Sequence, residues 1–368
     1  MRLCAQSASV FIQSNGFLGV QNSPDKIAAF VPEQVKLAFQ AAVAEACRFV
    51  GQTAPNPAVG CVLLSAEGQV LSLAAHHKAG QLHAERLACE QARAAGVLHR
   101  VHTAVVTLEP CNHTGRTPPC TEALLETPVK TIWIGCADPN PRVAGGGAAR
   151  LVQAGRTVQW LEHAPNGAAF FALCRALLAP FVQKTVHGRP WLTVKQALNS
   201  AGTMVPPTGQ TTFTTPNSLT FAHKLRRATD GIVTGTGTVQ ADLSSFTVRH
   251  VTDHPNRRRL LVVCGQAAHV PQAWHAKVEQ QFDVLLCPDV AMLPSLLAST
   301  DALWLMVEAG PTLLATLKAQ NLWDDWLSIR QNAAGVDHFS VSTRHDVTPL
   351  ALFPEWARCT QEQTCFPE

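Results

Sequence analysis

Three short segments, His83-Ala84-Glu85, Pro110-Cys111 and Cys120, constrain this chain more than any other feature. A fold that uses them together must bring three separate stretches of chain to one point. One imidazole and two thiolates make a three-donor zinc set that leaves the fourth position for water. Cys111 and Cys120 are separated by eight residues, so they are not the C-x2-C unit common in closed, four-ligand structural sites. With 15 His and 12 Cys in the chain, a single residue of either type is an ordinary core or surface position. An ordered set of three with a glutamate two places after the histidine is not. Bound metal lowers the pKa of water towards neutrality, and Glu85 is placed to move that water's proton. Cys89 and Cys136 are the nearby candidates for a fourth ligand, and each reads as helix or strand core.

The H-x-E…P-C order resembles the signature of zinc-dependent nucleobase deaminases. The loop from Pro110 to Cys120 contains Asn112-His113-Thr114-Gly115-Arg116-Thr117-Pro118-Pro119 between its cysteines. It resembles more narrowly the bifunctional pyrimidine deaminase/reductase family of riboflavin biosynthesis. Thr53-Ala54-Pro55-Asn56-Pro57-Ala58-Val59-Gly60 is similar to that family's T-x-P-N-P-x-V-G. His76, Lys78, Ala79 and Gly80 resemble its H-x-K-A-G stretch. Asp138-Pro139-Asn140-Pro141, with Val143, Gly145 and Gly147, resembles its D-P-N-P-x-V-x-G-x-G.

The resemblance implies hydrolytic deamination of 2,5-diamino-6-ribosylamino-4(3H)-pyrimidinone 5′-phosphate. Zinc would rest on His83, Cys111 and Cys120, Glu85 would be the proton shuttle, and Asn56, His76, Asp138 and Asn140 would contact substrate. It also implies a second, reductase half. There Lys195, Gly202, Arg226, Asp230, Gly235, Gly237, Thr238, Asp242, Arg249 and Glu308-Ala309-Gly310-Pro311-Thr312 match in order. By resemblance Thr238, Asp242, Gly310, Pro311 and Thr312 contact NADPH, and Glu308 faces the substrate. Arg226 and Arg249 are suited to a phosphate through paired N–H groups. A glycine before a helix start suits a cofactor phosphate.

Three segments depart from that pattern. Ala201 stands where the family has an acid, Thr203 where it has a base, and Thr212-Phe213-Thr214 where it has a tryptophan motif. Ala241-Asp242-Leu243-Ser244 replaces A-D-[DN]-P. The alternative reading is therefore a deaminase joined to a degenerate, non-catalytic reductase-like domain.

A chain of 368 residues has the length of about two domains. The expected architecture is α/β: a cytidine-deaminase-like α/β/α sandwich over 33–182 and a dihydrofolate-reductase-like α/β domain over 183–368. Residues 1–32 read as a flexible extension. Helices are expected at 35–49, 83–95, 121–126, 148–154 and 166–181, then at 217–227 and 312–319. Strands are expected at 59–64, 70–75, 101–108, 130–136 and 191–197, then at 231–234, 260–264 and 303–308.

A net charge of +3 with 6% aromatics argues against a base-editing enzyme's basic, aromatic nucleic-acid channel. Arg257-Arg258-Arg259 reads as a solvated turn. No stretch reads as the ~20 apolar residues of a bilayer span. The cysteines form no disulfide framework, so a reducing cytoplasm is expected. A phosphorylated pyrimidine is the expected partner, with no nucleic acid and no membrane, and the sequence leaves room for a homo-oligomer. A non-catalytic, zinc-stabilised binding protein is the remaining rival, and it requires a closed four-coordinate site.

Overall fold

The computed structural model describes residues 29–113, 118–141, 144–210 and 212–353. Most of the N-terminal extension, the loop residues Thr114 to Thr117, and Val143 lie outside the described residues. In the first half the chain runs α1 (Glu33–Cys47), β1 (Gly60–Leu64), β2 (Val70–Ala75), α2 (Ala84–Ala94) and β3 (Thr103–Leu108). It continues through α3 (Cys120–Leu125), β4 (Thr131–Cys136), α4 (Gly146–Gln153), β5 (Thr157–Trp160) and α5 (Ala168–His187). The strands form one sheet in the order β2-β1-β3-β4-β5. β3, β4 and β5 are parallel, while β1 runs antiparallel to both its neighbours.

Alternation along each strand divides the apolar residues between two cores. Cys61, Leu63, Ala104, Val106, Ile132 and Ile134 face α2, α3 and α4. Val62, Leu64, Val105 and Trp133 face α1 and α5. Both faces are covered, so the strands read as continuous apolar runs. The result is the expected α/β/α sandwich.

The second half contains β6 (Trp191–Leu198), α6 (Pro216–Ala228), β7 (Gly231–Gly235), α7 (Thr236–Asp242), β8 (Arg259–Cys264) and α8 (Gln272–Val278). Then follow β9 (Phe282–Cys287), α9 (Leu293–Ala298), β10 (Trp304–Val307), α10 (Pro311–Ala319), β11 (Asp325–Gln331) and β12 (Asp337–Thr343). The sheet order is β12-β11-β6-β10-β7-β8-β9, with only β12 antiparallel to its neighbour. The chain winds outward through β7, β8 and β9, then returns to insert β10 between β6 and β7. Strand order thus reverses between β10 and β7, the crevice where open α/β sheets bind ligands beyond their strand ends.

Two expectations fail here. α5 is long and apolar enough to cross a bilayer by length and composition. Its residues are apolar because they serve different cores: Leu178 joins the first, Cys174 and Leu177 the second, and Ala179 a cluster of the second half. A helix buried on several sides loses its polar stripe. The arginine run is not a solvated turn either. Arg259 is buried at the start of β8, paired with Asp253, and it donates to the carbonyls of Arg227 and Thr229. Arg257 pairs with the buried Asp230, and only Arg258, paired with Asp283, is exposed. The end of α6 leaves unsatisfied carbonyls, and an arginine fork answers them.

The halves meet where α1 ends. Arg227 Nη2 donates to the Arg48 carbonyl at 2.8 Å, and His254 Nε2 lies 2.9 Å from the Val50 carbonyl. Gly51 has φ +83° and packs backbone against backbone, because a Cβ there would overlap the Arg227 carbonyl and sit 2.8 Å from Ala228 C. Gly96 also has positive φ, but nothing lies within 4 Å of its Cβ position. Gly96→Ala should therefore cost only left-handed backbone strain, about 1–2 kcal/mol. Gly51→Ala should cost roughly 2 kcal/mol more through overlap at the junction. Urea unfolding of both variants measures the difference, and equal losses would refute a tight junction.

Candidate active site

Each sequence-named metal residue arrives on its own element. His83 is the N-cap of α2, Cys111 follows the carboxyl end of β3, and Cys120 opens α3. His83 Nδ1 lies 3.7 Å from Cys111 Sγ and 3.4 Å from Cys120 Sγ, and all three donor atoms fall within 4.8 Å of one another. Tetrahedral zinc with ordinary bond lengths places N and S ligands about 3.6 Å apart and two sulfurs about 3.8 Å apart. The donor set therefore fits zinc by spacing and by chemistry. The Cys120 amide donates to Cys111 Sγ at 3.4 Å, and Thr121 Oγ1 donates to Asn112 Oδ1 at 2.9 Å, which fixes the loop carrying Cys111.

The donors of the cluster divide charge unequally among themselves. Hydrogen bonding from Cys120, helped by His83, holds the Cys111 thiol down at about 4. The same pairing, with burial, pushes Cys120 up. His83 is raised by its hydrogen bond to Cys111. Glu85 is buried in the first turn of α2, and burial followed by the charge of Cys111 lifts its carboxyl to about 7. A carboxyl titrating near neutrality beside a metal set is suited to carrying protons in both directions.

The residues named for substrate divide between two walls. Asn56 Nδ2 lies 3.1 Å from His76 Nε2, and His76 Nδ1 lies 3.0 Å from the Leu82 carbonyl. A ring nitrogen facing a carbonyl must donate, so Nδ1 carries the proton and Nε2 accepts from Asn56. Burial also lowers the pKa of His76, which keeps it neutral. The Asn56 amide nitrogen is thereby committed, and its oxygen remains as an acceptor. The His76 and His83 rings meet edge to face at 5.3 Å, so this wall adjoins the metal cluster. Asp138 and Asn140 follow the carboxyl end of β4, the strand beside β3, and Asp138 Oδ1 accepts from the Asn140 amide at 2.8 Å.

The second-half residues gather at the carboxyl ends of β6, β7 and β10. Glu308 is buried in an ion pair with Arg226, whose Nε and Nη2 each meet one carboxylate oxygen, and Lys195 Nζ lies 3.6 Å away. Burial alone would raise its carboxyl, but Arg226 and Lys195 outweigh it and hold Glu308 at about 2. Thr247 joins the two arginines: its carbonyl accepts from Arg226 Nη1 and its hydroxyl from Arg249 Nη1. Arg226 is thus largely engaged within the protein, whereas Arg249 is exposed. Thr238 Oγ1 accepts from the Gly310 amide at 2.8 Å, which ties the start of α7 to the start of α10. Pro311 and Thr312 are exposed there, Asp242 is exposed at the far end of α7, and the Cβ position of Gly237 faces open space. Two helix starts at a sheet switch point, lined by exposed residues, fit a dinucleotide's phosphates.

The first departure, at Ala201 and Thr203, occupies a self-contained turn. Asn199 Oδ1 accepts from the amides of Ala201 and Thr203, and Asn199 Nδ2 donates to Thr203 Oγ1. The turn keeps its shape without the acid and base. Sequence reasoning gave Lys195 no role, although it lies beside Glu308. It also missed Glu109, whose signal was an acid closing an apolar strand directly before Pro110-Cys111.

Residues 32–136 match the family described as cytidine and deoxycytidylate deaminase zinc-binding region, and residues 190–329 match the RibD C-terminal domain. Riboflavin biosynthesis protein RibD of Corynebacterium ammoniagenes is 34% identical over 302 residues, covering 81% of this chain and 85% of that protein. The chloroplastic riboflavin biosynthesis protein PYRD of Arabidopsis thaliana is 41% identical over 165 residues, 44% of this chain but 36% of the plant protein. Among solved structures, Acinetobacter baumannii RibD superposes with a TM-score of 0.66 at 29% identity, covering 82% of this chain and 87% of that one.

The buried Glu308 pair sets an acid limit on stability. A carboxyl held at about 2 against an ordinary 4.5 contributes stability that is complete above about pH 5. That contribution is lost as pH falls through 4.5 towards 2. Glu308→Gln should be less stable than the parent at neutral pH, with the gap shrinking between about pH 5 and 3. Urea unfolding across that range is the measurement, and a pH-independent gap would contradict the pairing.

Proposed function

The chain belongs to the RibD family of riboflavin biosynthesis proteins and carries both the family's deaminase and reductase domains. On that premise we propose that it removes the exocyclic amine of a phosphorylated diaminopyrimidine at the His83 cluster and reduces the ribosyl side chain of the product in its second half. The observation that carries this reading is three donors at tetrahedral spacing with buried Glu85 beside them. His83, Cys111 and Cys120 would hold the zinc, which would supply the Lewis acidity that makes water nucleophilic near neutral pH. Glu85 takes that water's proton on its carboxylate and returns it to the departing amine nitrogen. The Asn56 oxygen accepts a ring N–H, while neutral His76 keeps the amide turned that way. Asp138 and Asn140 close the opposite wall. A closed, purely structural metal site fits poorly, because Cys89 is spent on the helix core.

In the second half NADPH would supply the hydride. The linked starts of α7 and α10, with Thr238, Gly310, Pro311 and Thr312, would seat its phosphates, and Asp242, at the end of α7, would contact another part of the cofactor. Arg249, beside the buried Arg226–Glu308–Lys195 group, would meet the substrate's phosphate. The deaminase-only alternative is set aside, because relatives match across both halves and the charged group at the strand ends is intact. Recognition of a small anion needs few cations, in keeping with a net charge of only +3.

Purified protein supplied with the diaminopyrimidine ribosyl phosphate should release ammonia and oxidise NADPH, each followed separately. Ammonia without NADPH loss would remove the second activity, and neither signal would refute the proposal. Glu85→Gln should lower ammonia release by roughly 10²–10⁴-fold and leave reduction of the deaminated substrate unchanged. A chelator should likewise stop ammonia release and leave NADPH-dependent reduction of supplied deaminated substrate unchanged. Full activity of Glu85→Gln would eliminate the proton-shuttle role.

A further inference from the structure

Glu109 lies between β3 and Pro110-Cys111, with only 4% of its surface exposed. Its carboxylate accepts from four backbone amides belonging to one distant segment. Oε1 takes Gly147 and Ala148, both at 3.0 Å, and Oε2 takes Gly145 at 2.9 Å and Asp138 at 3.4 Å. Two of these, Gly147 and Ala148, are first-turn amides of α4, and Gly145 is its N-cap, which has no side chain to cap them. The cap is supplied instead by the residue that ends β3. Contact is close: a Cβ on Gly147 would overlap the Pro110 carbonyl.

One buried carboxylate therefore grips both ends of the segment that runs from Asp138 to the start of α4. It does so two residues before a metal donor. We infer that Glu109 is a positioning residue for deamination, which locks the Asp138–Asn140 wall to the Cys111 wall and so sets the substrate's pose against the metal cluster. The inference rests on the deaminase reading of this site. Glu109 touches neither substrate nor metal in this role, and its effect passes through Asp138, Asn140 and Pro110. A pose shifted by ~1 Å is enough to cost up to 10²-fold in rate.

The test uses the full-length chain as Glu109→Gln and Glu109→Asp. A carboxamide presents its N–H₂ to one of the two amide pairs and cannot accept from it. Glu109→Gln should therefore raise the KM for ammonia release at least roughly tenfold, with a smaller fall in kcat. Zinc per chain and NADPH-dependent reduction of the deaminated substrate should stay at parental levels. Amide hydrogen exchange should quicken at Gly145, Gly147 and Ala148. Glu109→Asp, which keeps the charge, should recover part of the KM. Unchanged KM would overturn the inference. Zinc lost in step with activity would also overturn it, because Glu109 would then be supporting the metal ligands alone. So would loss of the reductase signal, which would mark a general folding role. If the parent chain itself releases no ammonia, the deaminase reading falls, while exchange at the three amides still reports the clamp.

Discussion

Parallel pairing of β3 with β4 is the constraint on which the first site depends. Val106 stands opposite Ile134 and Leu108 opposite Cys136, so both strands finish at the same level. Whatever follows them meets: Cys111 from one, Asp138 and Asn140 from the other. Parallel neighbours also require a crossover between them, and here that crossover carries α3, whose first residue is Cys120. The third donor comes from α2, laid on the same face by Ala84, Ala88, Cys89 and Ala92. The metal cluster is thus a product of sheet register and of one amphipathic helix. No local segment could assemble it.

The second sheet repeats the principle with different chemistry. Glu308 follows Val307, which pairs with Val194 on one side and Val233 on the other. Lys195 therefore comes level with Glu308, while the turn from β7 into α7 opens beside it. Burying a carboxylate costs several kcal/mol unless cations compensate. Arg226 and Lys195 do so here. A degenerate domain under no demand but stability would do as well with apolar residues of similar volume. Retention of a buried, fully paired charge group at a sheet's switch point argues for a site in use.

Legibility in the sequence followed how far apart cause and effect lie along the chain. The metal donors were readable because their chemistry admits few residue types. Four strands of the first sheet were readable as apolar runs, whereas the short, partly exposed β5 at its edge was not. Nor was β11: its Trp326, Ser328 and Arg330 alternate with buried Leu327 and Ile329 without turn signals strong enough to bound a strand. α5 was readable as a helix, but its uniform apolarity comes from serving several cores, which periodicity does not reveal. Arg259 misled for the opposite reason. A charge run looks solvated unless one knows which carbonyls it must satisfy.

Glu109 shows where sequence reading stops. Its one local signal, an acid closing an apolar strand directly before Pro110-Cys111, does not reveal what it binds. Its partners lie on a glycine-rich segment of Gly145, Gly146 and Gly147 that looks, on its own, like a loose turn. Those glycines are explained only together with the acid. Gly147 admits the Pro110 carbonyl, Gly145 takes φ +78° to start α4, and both offer bare amides that a distant carboxylate gathers. Flexibility in the sequence has become rigidity in the fold, because four donors converge on two oxygens buried from water. A charge-assisted hydrogen bond is worth about 1.5–3 kcal/mol, so the clamp is strong enough to hold a short helix that lacks its own cap. The two walls of the first site are therefore coupled through one side chain that belongs to neither.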